Sequence, residues 1–118
     1  MIWFKAASVL MFLAVAFGAF GAHALKDVLS EYSKDVYQKA VFYHFIHALG
    51  IFVVAWASTV SQDPRIGFAG IAMLLGIIIF SGSLYVLALT GMKWLGALTP
   101  IGGLSFLAAW VLLFLSKI

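Results

Sequence analysis

The chain has 118 residues, of which 65% are apolar and only 9% charged, far from the roughly 45–50% apolar and 25% charged side chains usual in a soluble domain. It contains no cysteine, which excludes a disulfide, a thiolate nucleophile, an iron–sulfur cluster and a zinc–thiolate site. The net charge of +3 comes from cations scattered singly near the ends of apolar runs, without the dense basic cluster a nucleic-acid partner requires.

Charge is absent over residues 6–25, 40–62, 66–92 and 94–116. About 20 apolar residues cross the roughly 30 Å hydrocarbon core of a bilayer. Backbone polar groups in lipid must be satisfied within the segment, so each run is predicted to be a transmembrane helix. The expected spans cover about residues 3–25, 40–62, 66–91 and 94–116 of one domain, 1–118.

The first run follows Lys5 and ends in Ala22-His23-Ala24, which together resemble a secretory signal with an A-x-A cleavage site. It is read here as a retained span. Ala14, Gly18 and Ala22 form a small-xxx-small ridge on it, suited to close approach within the bundle or between protomers.

The connection over residues 26–39 differs in kind. Val28, Leu29, Tyr32 and Val36 share one face at helical spacing, and Glu31 with Lys34 and Asp35 with Lys39 are pairs at i,i+3 and i,i+4. These features predict a short amphipathic helix at about 27–39, lying along the membrane surface over one mouth of the bundle.

Asp63-Pro64-Arg65 opens the third span, and Gly91-Met92-Lys93 separates it from the fourth. Turns this short join antiparallel neighbours, so the fold class is an all-α, up-down-up-down four-helix bundle with both termini on one side. Ala72 with Gly76 makes a second small-residue ridge in span three. In span four, Pro100 removes a backbone hydrogen bond and Gly102 and Gly103 lower helix propensity. A kink is expected there, with a hinge lining a binding site as the alternative.

Trp3, Trp56 and Trp110 fall near the ends facing the termini and Trp94 near the other, as interfacial belts require. Lys5, Arg65, Lys117 and the amino terminus balance Lys26, Lys34, Lys39 and Lys93 across the membrane, so positive charge leaves the orientation open.

His23, His44 and His47 are directed by this topology toward the same membrane face, and Tyr43, Ser81, Ser83, Tyr85 and Thr99 share that half. These eight residues are the candidate ligand-binding set. Imidazoles suit zinc or copper, but no carboxylate lies inside the spans to complete a site, and no metal is assigned. Neighbours at i,i+3 on one helix cannot ligate opposite faces of a haem. A quinone or lipid headgroup, a proton relay, and interhelical hydrogen bonding all fit the same residues. The cofactor stays undefined. Asp27, Glu31, Asp35 and Asp63 all lie in connections, and no nucleophile triad, phosphate loop or metalloprotease pair is visible. No catalytic residue is assigned, and no enzyme is expected.

The strings GAFGAHAL at 18–25, YQKA at 37–40, YHFIHALG at 43–50, FSGSLY at 80–85 and TPIGGL at 99–104 resemble, in this order, the YgdD-like family of small four-span membrane proteins. Its members carry a domain-of-unknown-function label. The resemblance implies an integral protein of the bacterial inner membrane. It implies no activity, and its motif positions include His23, Tyr43, His44, His47, Ser81, Gly82, Tyr85, Thr99 and Pro100.

The leading expectation is a non-enzymatic accessory or assembly component with a headgroup- or quinone-sized pocket near His44, His47 and Tyr85. Self-association or docking on a larger membrane complex is expected of so small a bundle. The alternative is a small transporter or channel for protons, metal ions or a small solute, with Pro100, Gly102 and Gly103 as its hinge.

Overall fold

A computed structural model describes residues 2–118; the positive group at Met1 lies outside them. Helix α1 spans Ile2–His23, α2 Glu31–Val60, α3 Pro64–Gly76, α4 Gly82–Thr90 and α5 Thr99–Leu115. A π turn at Ile77–Ser81 joins α3 to α4 without a break, and a 3-10 segment at Lys93–Ala97 precedes α5. Ile2–His23, Glu31–Val60, Pro64–Thr90 and Lys93–Leu115 are each long and apolar enough to cross a membrane. The 48 Å long axis matches a bilayer with its headgroups, about 40–45 Å.

Helix α2 and the third span form the centre. Helix α1 lies on α2, and α5 lies on α3 and the π turn. The exposed apolar side chains of α1 and α5, such as Phe12, Val15, Leu107 and Phe114, therefore face lipid, the solvent for this fold.

Local chemistry sets the ends. The Ser30 hydroxyl accepts the Ser33 N–H at 3.1 Å and caps α2. Asp63 caps α3, with Pro64 in the first turn where no N–H is needed. Gly91, at φ 73°, ends α4 in the left-handed conformation that glycine adopts without a Cβ penalty.

Two sequence expectations are corrected here. The amphipathic segment at 27–39 is no separate surface helix: residues 24–30 form turns, and residues 31–39 are the first turns of α2. The cap at Ser30 starts a helix that meets no proline before Val60, so nothing bends the chain into the membrane plane. Val28 and Tyr32 of the expected apolar face are exposed, whereas Val36 and Tyr37 are buried. The kink expected inside span four is instead a helix start. Pro100 sits in the first turn of α5, and the 3-10 segment absorbs the change of path.

The small-residue ridges pack within the chain at all positions but Ala22. Ala14 is fully buried and Gly18 faces Val41 and Phe45 of α2, while Ala22 is exposed. Gly76 lies against the Phe106 ring, and the Ala72 carbonyl accepts the Ser105 hydroxyl at 2.6 Å, both fixing α3 on α5. Gly102 approaches the backbone of Phe80, whereas Gly103 stands at ordinary distance from the Phe80 ring.

The core falls into two apolar clusters. Ile51, Val54, Ile66, Met73, Ile77 and Phe106 belong to the one nearer the termini. Leu25, Val36, Tyr37, Ala40, Leu84 and Leu87 belong to the other. Along α2 and the third span, His44, His47, Ser81 and Ser83 are buried between them.

The terminal side is tied by Asp63. Its carboxylate accepts Arg65 Nη2–H at 2.8 Å, Arg65 Nε–H at 3.0 Å and the Lys117 backbone N–H at 2.8 Å. The Arg65 side chain, then the Arg65 and Lys117 backbone N–H groups, hold this carboxyl well below the usual carboxylate range. A depressed carboxyl stabilises the fold above its unfolded pKa, about 3.9, and that contribution is lost as pH falls toward the folded value.

Two predictions follow from these contacts. Gly102→Ala lowers unfolding stability in detergent by about 1–3 kcal/mol, because backbone at Phe80 cannot yield to a Cβ. Gly103→Ala is neutral or stabilising; equal effects of the two would refute the close approach. The thermal midpoint falls more steeply below about pH 4 in the parent protein than in Asp63→Asn. Superimposable profiles would show that the Asp63 anchor contributes nothing.

Candidate functional site

The buried polar side chains are held mostly by partners on neighbouring helices. His47 lies on α2 beside α5. Its Nε2 accepts the Trp110 indole N–H at 3.0 Å, and its ring stacks on Phe106 with centroids 3.5 Å apart. A neutral imidazole has one donor and one acceptor, so Nδ1 carries the proton and donates to the Tyr43 carbonyl at 2.9 Å. Both nitrogens are then in use, and no lone pair is left for a metal or ligand.

His44, one turn earlier, points toward α4 and α1. Its Nδ1 is 2.8 Å from the Tyr85 hydroxyl. Tyr85 packs edge-on against Phe17 and Tyr37. His44 Nε2 has no hydrogen-bond partner; the Leu10 backbone approaches the same ring from α1 without making one to Nε2.

The hydroxyls join helices too. Ser81, fully buried, donates to the Ala40 carbonyl at 2.8 Å. Ser83 donates to the Phe80 carbonyl at 3.0 Å and lies 2.8 Å from the Thr99 hydroxyl. The π turn sets these directions by placing Ser81 toward α2 and Phe80 against Tyr43 and Phe106.

Of the eight candidate ligand-binding residues, the fold pairs His44 with Tyr85, His47 with the Tyr43 backbone, and Ser83 with Thr99. Ser81 bonds instead to backbone, and Tyr43 is partly exposed over Phe80. His23 is exposed at the end of α1, apart from the others. Among the described residues, no three His, Asp or Glu side chains converge as a metal site would require.

A cavity lies away from these residues. A groove of about 580 Å³ runs between α1 and α2, lined by Gly18, Gly21 and Ala22 of α1, Lys26 and Leu29 of the connection, and Lys34, Tyr37, Gln38, Val41, Phe42, Phe45, Ile46 and Leu49 of α2. Small residues of α1 line it beside the seam with α2. Gly21 meets the Tyr37 ring so closely that a Cβ would overlap it, and the Tyr37 hydroxyl donates to the Phe17 carbonyl at 2.6 Å. The helices touch there, and the surface beside the seam stays open.

Lysine and glutamine line one end of the groove, and Phe42, Phe45, Ile46 and Leu49 line the rest. None of the eight candidate residues is part of the lining, although Gly18 and Ala22 of the packing ridge are. A signal was present in the sequence. Lys34, Gln38, Phe42, Phe45 and Leu49 recur at helical spacing, polar first and apolar after, as an outward stripe from headgroup to acyl depth would.

Trp110→Phe leaves His47 Nε2 without its donor and costs about 1–3 kcal/mol of unfolding stability. Unfolding in detergent checks this, and an unchanged midpoint would show that the bond does not anchor α5.

Residues 17–103 match the family described as "Protein of unknown function (DUF423)". The chain is 45% identical over 104 residues to the UPF0382 membrane protein SH2409 of Staphylococcus haemolyticus, covering 88% of this chain and 84% of that one. It is 43% identical over 107 residues to the UPF0382 membrane protein YwdK of Bacillus subtilis, covering 90% and 87%. No solved structure matches. With four apolar helices able to span a bilayer and bacterial membrane proteins as relatives, this chain is a multi-pass membrane protein and belongs to the DUF423 family.

Proposed function

We propose that this protein is a non-enzymatic membrane component that holds one bilayer lipid in the groove between α1 and α2. The observation that carries the reading is the match of the groove to one leaflet. From Lys34 to Leu49 is 15 residues along α2, a rise of about 22 Å. Half of a bilayer with its headgroups is about 20–22 Å. The polar lining occupies the headgroup end and the apolar lining the acyl end.

Several features support the groove over the histidines as the place for a ligand. His47 uses both ring nitrogens, and neither His44, His47 nor Tyr85 lines the groove. Conduction gains no support from Ser81, Ser83 and Thr99, which are hydrogen-bonded to their neighbours. An accessory role on a larger complex, or pairing with a second copy, is proposed from the small size of the bundle, 118 residues in all. The finer YgdD-like label rests on the strings at 18–25 and 43–50 and is kept as part of this reading.

The test is native mass spectrometry after gentle extraction from the membrane. The parent protein carries one retained lipid, and Ala22→Trp, which fills the groove from an exposed position, loses it with helicity unchanged. No retained lipid in the parent, or equal retention in Ala22→Trp, would overturn the reading.

A further inference from the structure

Residues 26–39 carry six charged side chains, three of each sign: Lys26, Asp27, Glu31, Lys34, Asp35 and Lys39. In sequence the segment is neutral, yet the fold sorts it. Only Lys26 and Lys34 line the groove, and no carboxylate does. Lys39 lies outside the lining and pairs with Asp35 at 2.9 Å, exposed on both sides. Lys34 meets Glu31 at 3.3 Å, but the Glu31 side chain is 93% exposed. Exposed pairs of this kind are weak, and a single contact leaves the ammonium further donors.

Two cations and Gln38 thus line the polar end of an apolar groove one leaflet deep. Long lysine stems lie along apolar surface while their heads reach headgroup level. From this arrangement we infer that the groove selects a phospholipid whose headgroup carries net negative charge. The inference rests on the lipid-holding reading and specifies its ligand. A zwitterionic lipid presents the same phosphate but brings its own ammonium toward Lys26 and Lys34. An acidic lipid offers the phosphate without that repulsion.

The experiment places the protein in nanodiscs of equimolar phosphatidylglycerol and phosphatidylcholine and identifies the lipid that leaves with it in native mass spectrometry. Phosphatidylglycerol is enriched about thirtyfold at low salt, the scale expected of two lysines at about 1 kcal/mol each near an anionic headgroup. Enrichment shrinks as ionic strength rises. Lys26→Gln with Lys34→Gln removes it while one lipid is still retained, and inorganic phosphate at matched ionic strength does not displace the lipid. Equal retention of both lipids, enrichment that persists in the double variant, or displacement by phosphate alone would overturn the headgroup assignment. No retained lipid of either kind would overturn the lipid-holding reading with it.

Discussion

Unbroken backbone hydrogen bonding through α2, from Glu31 to Val60, is the constraint on which the rest of the molecule depends. Thirty residues of α-helix extend about 45 Å, longer than the roughly 30 Å of hydrocarbon. The excess lets one rigid element carry Lys34 and Gln38 at the headgroup end, the wall of the groove below them, and, level with that wall, both buried histidines. Helix α1 and the third span register against it, and α5 reaches it through Trp110 and Phe106. A separate surface helix at 27–39 would have broken this line and left the groove without its polar end.

Inside lipid there is no hydrophobic force to draw helices together, so packing and hydrogen bonds must do it. The structure uses both, in alternation along its length. Each apolar cluster closes through small residues and large rings, as at Gly76 against Phe106 and Gly21 against Tyr37. Between the clusters, Ser81, His44 and His47 bond across helices or to backbone. These bonds fix the rotation of each helix about its axis, which apolar contacts alone leave loosely defined. The unpartnered Nε2 of His44 is the exception.

Much of the fold was legible because lipid imposes it. Runs of 20 or more uncharged residues have one backbone solution in hydrocarbon, and turns as short as Asp63-Pro64-Arg65 leave little choice of topology. The register of the amphipathic segment was not legible. Val28, Leu29, Tyr32 and Val36 do lie at helical spacing, but periodicity does not say whether a helix stops before the next span or continues into it. Pro100 was misread for a related reason: its cost depends on whether its N–H is needed, and at the first turn of α5 it is not. Histidines are rare in membrane spans, which makes His44 and His47 legible as candidates in the sequence. The groove is not legible in the sequence because its lining comes from α1, the connection and α2 together, and Lys26 and Lys34 share it only once the chain is folded.

A groove one leaflet deep, cationic at one end and apolar along the rest, makes the central claim one about contact: a single lipid resides between α1 and α2. Solid-state NMR of the protein in bilayers tests it most directly, through cross-peaks between lipid acyl protons and side-chain carbons. The account predicts strong acyl contacts at Phe45 and Leu49 and headgroup contacts at Lys34, well above those at Phe12 and Val15 on the outer face of α1. Contacts of equal strength at all these positions would mean that ordinary exchanging lipid fills the groove, and would contradict the account.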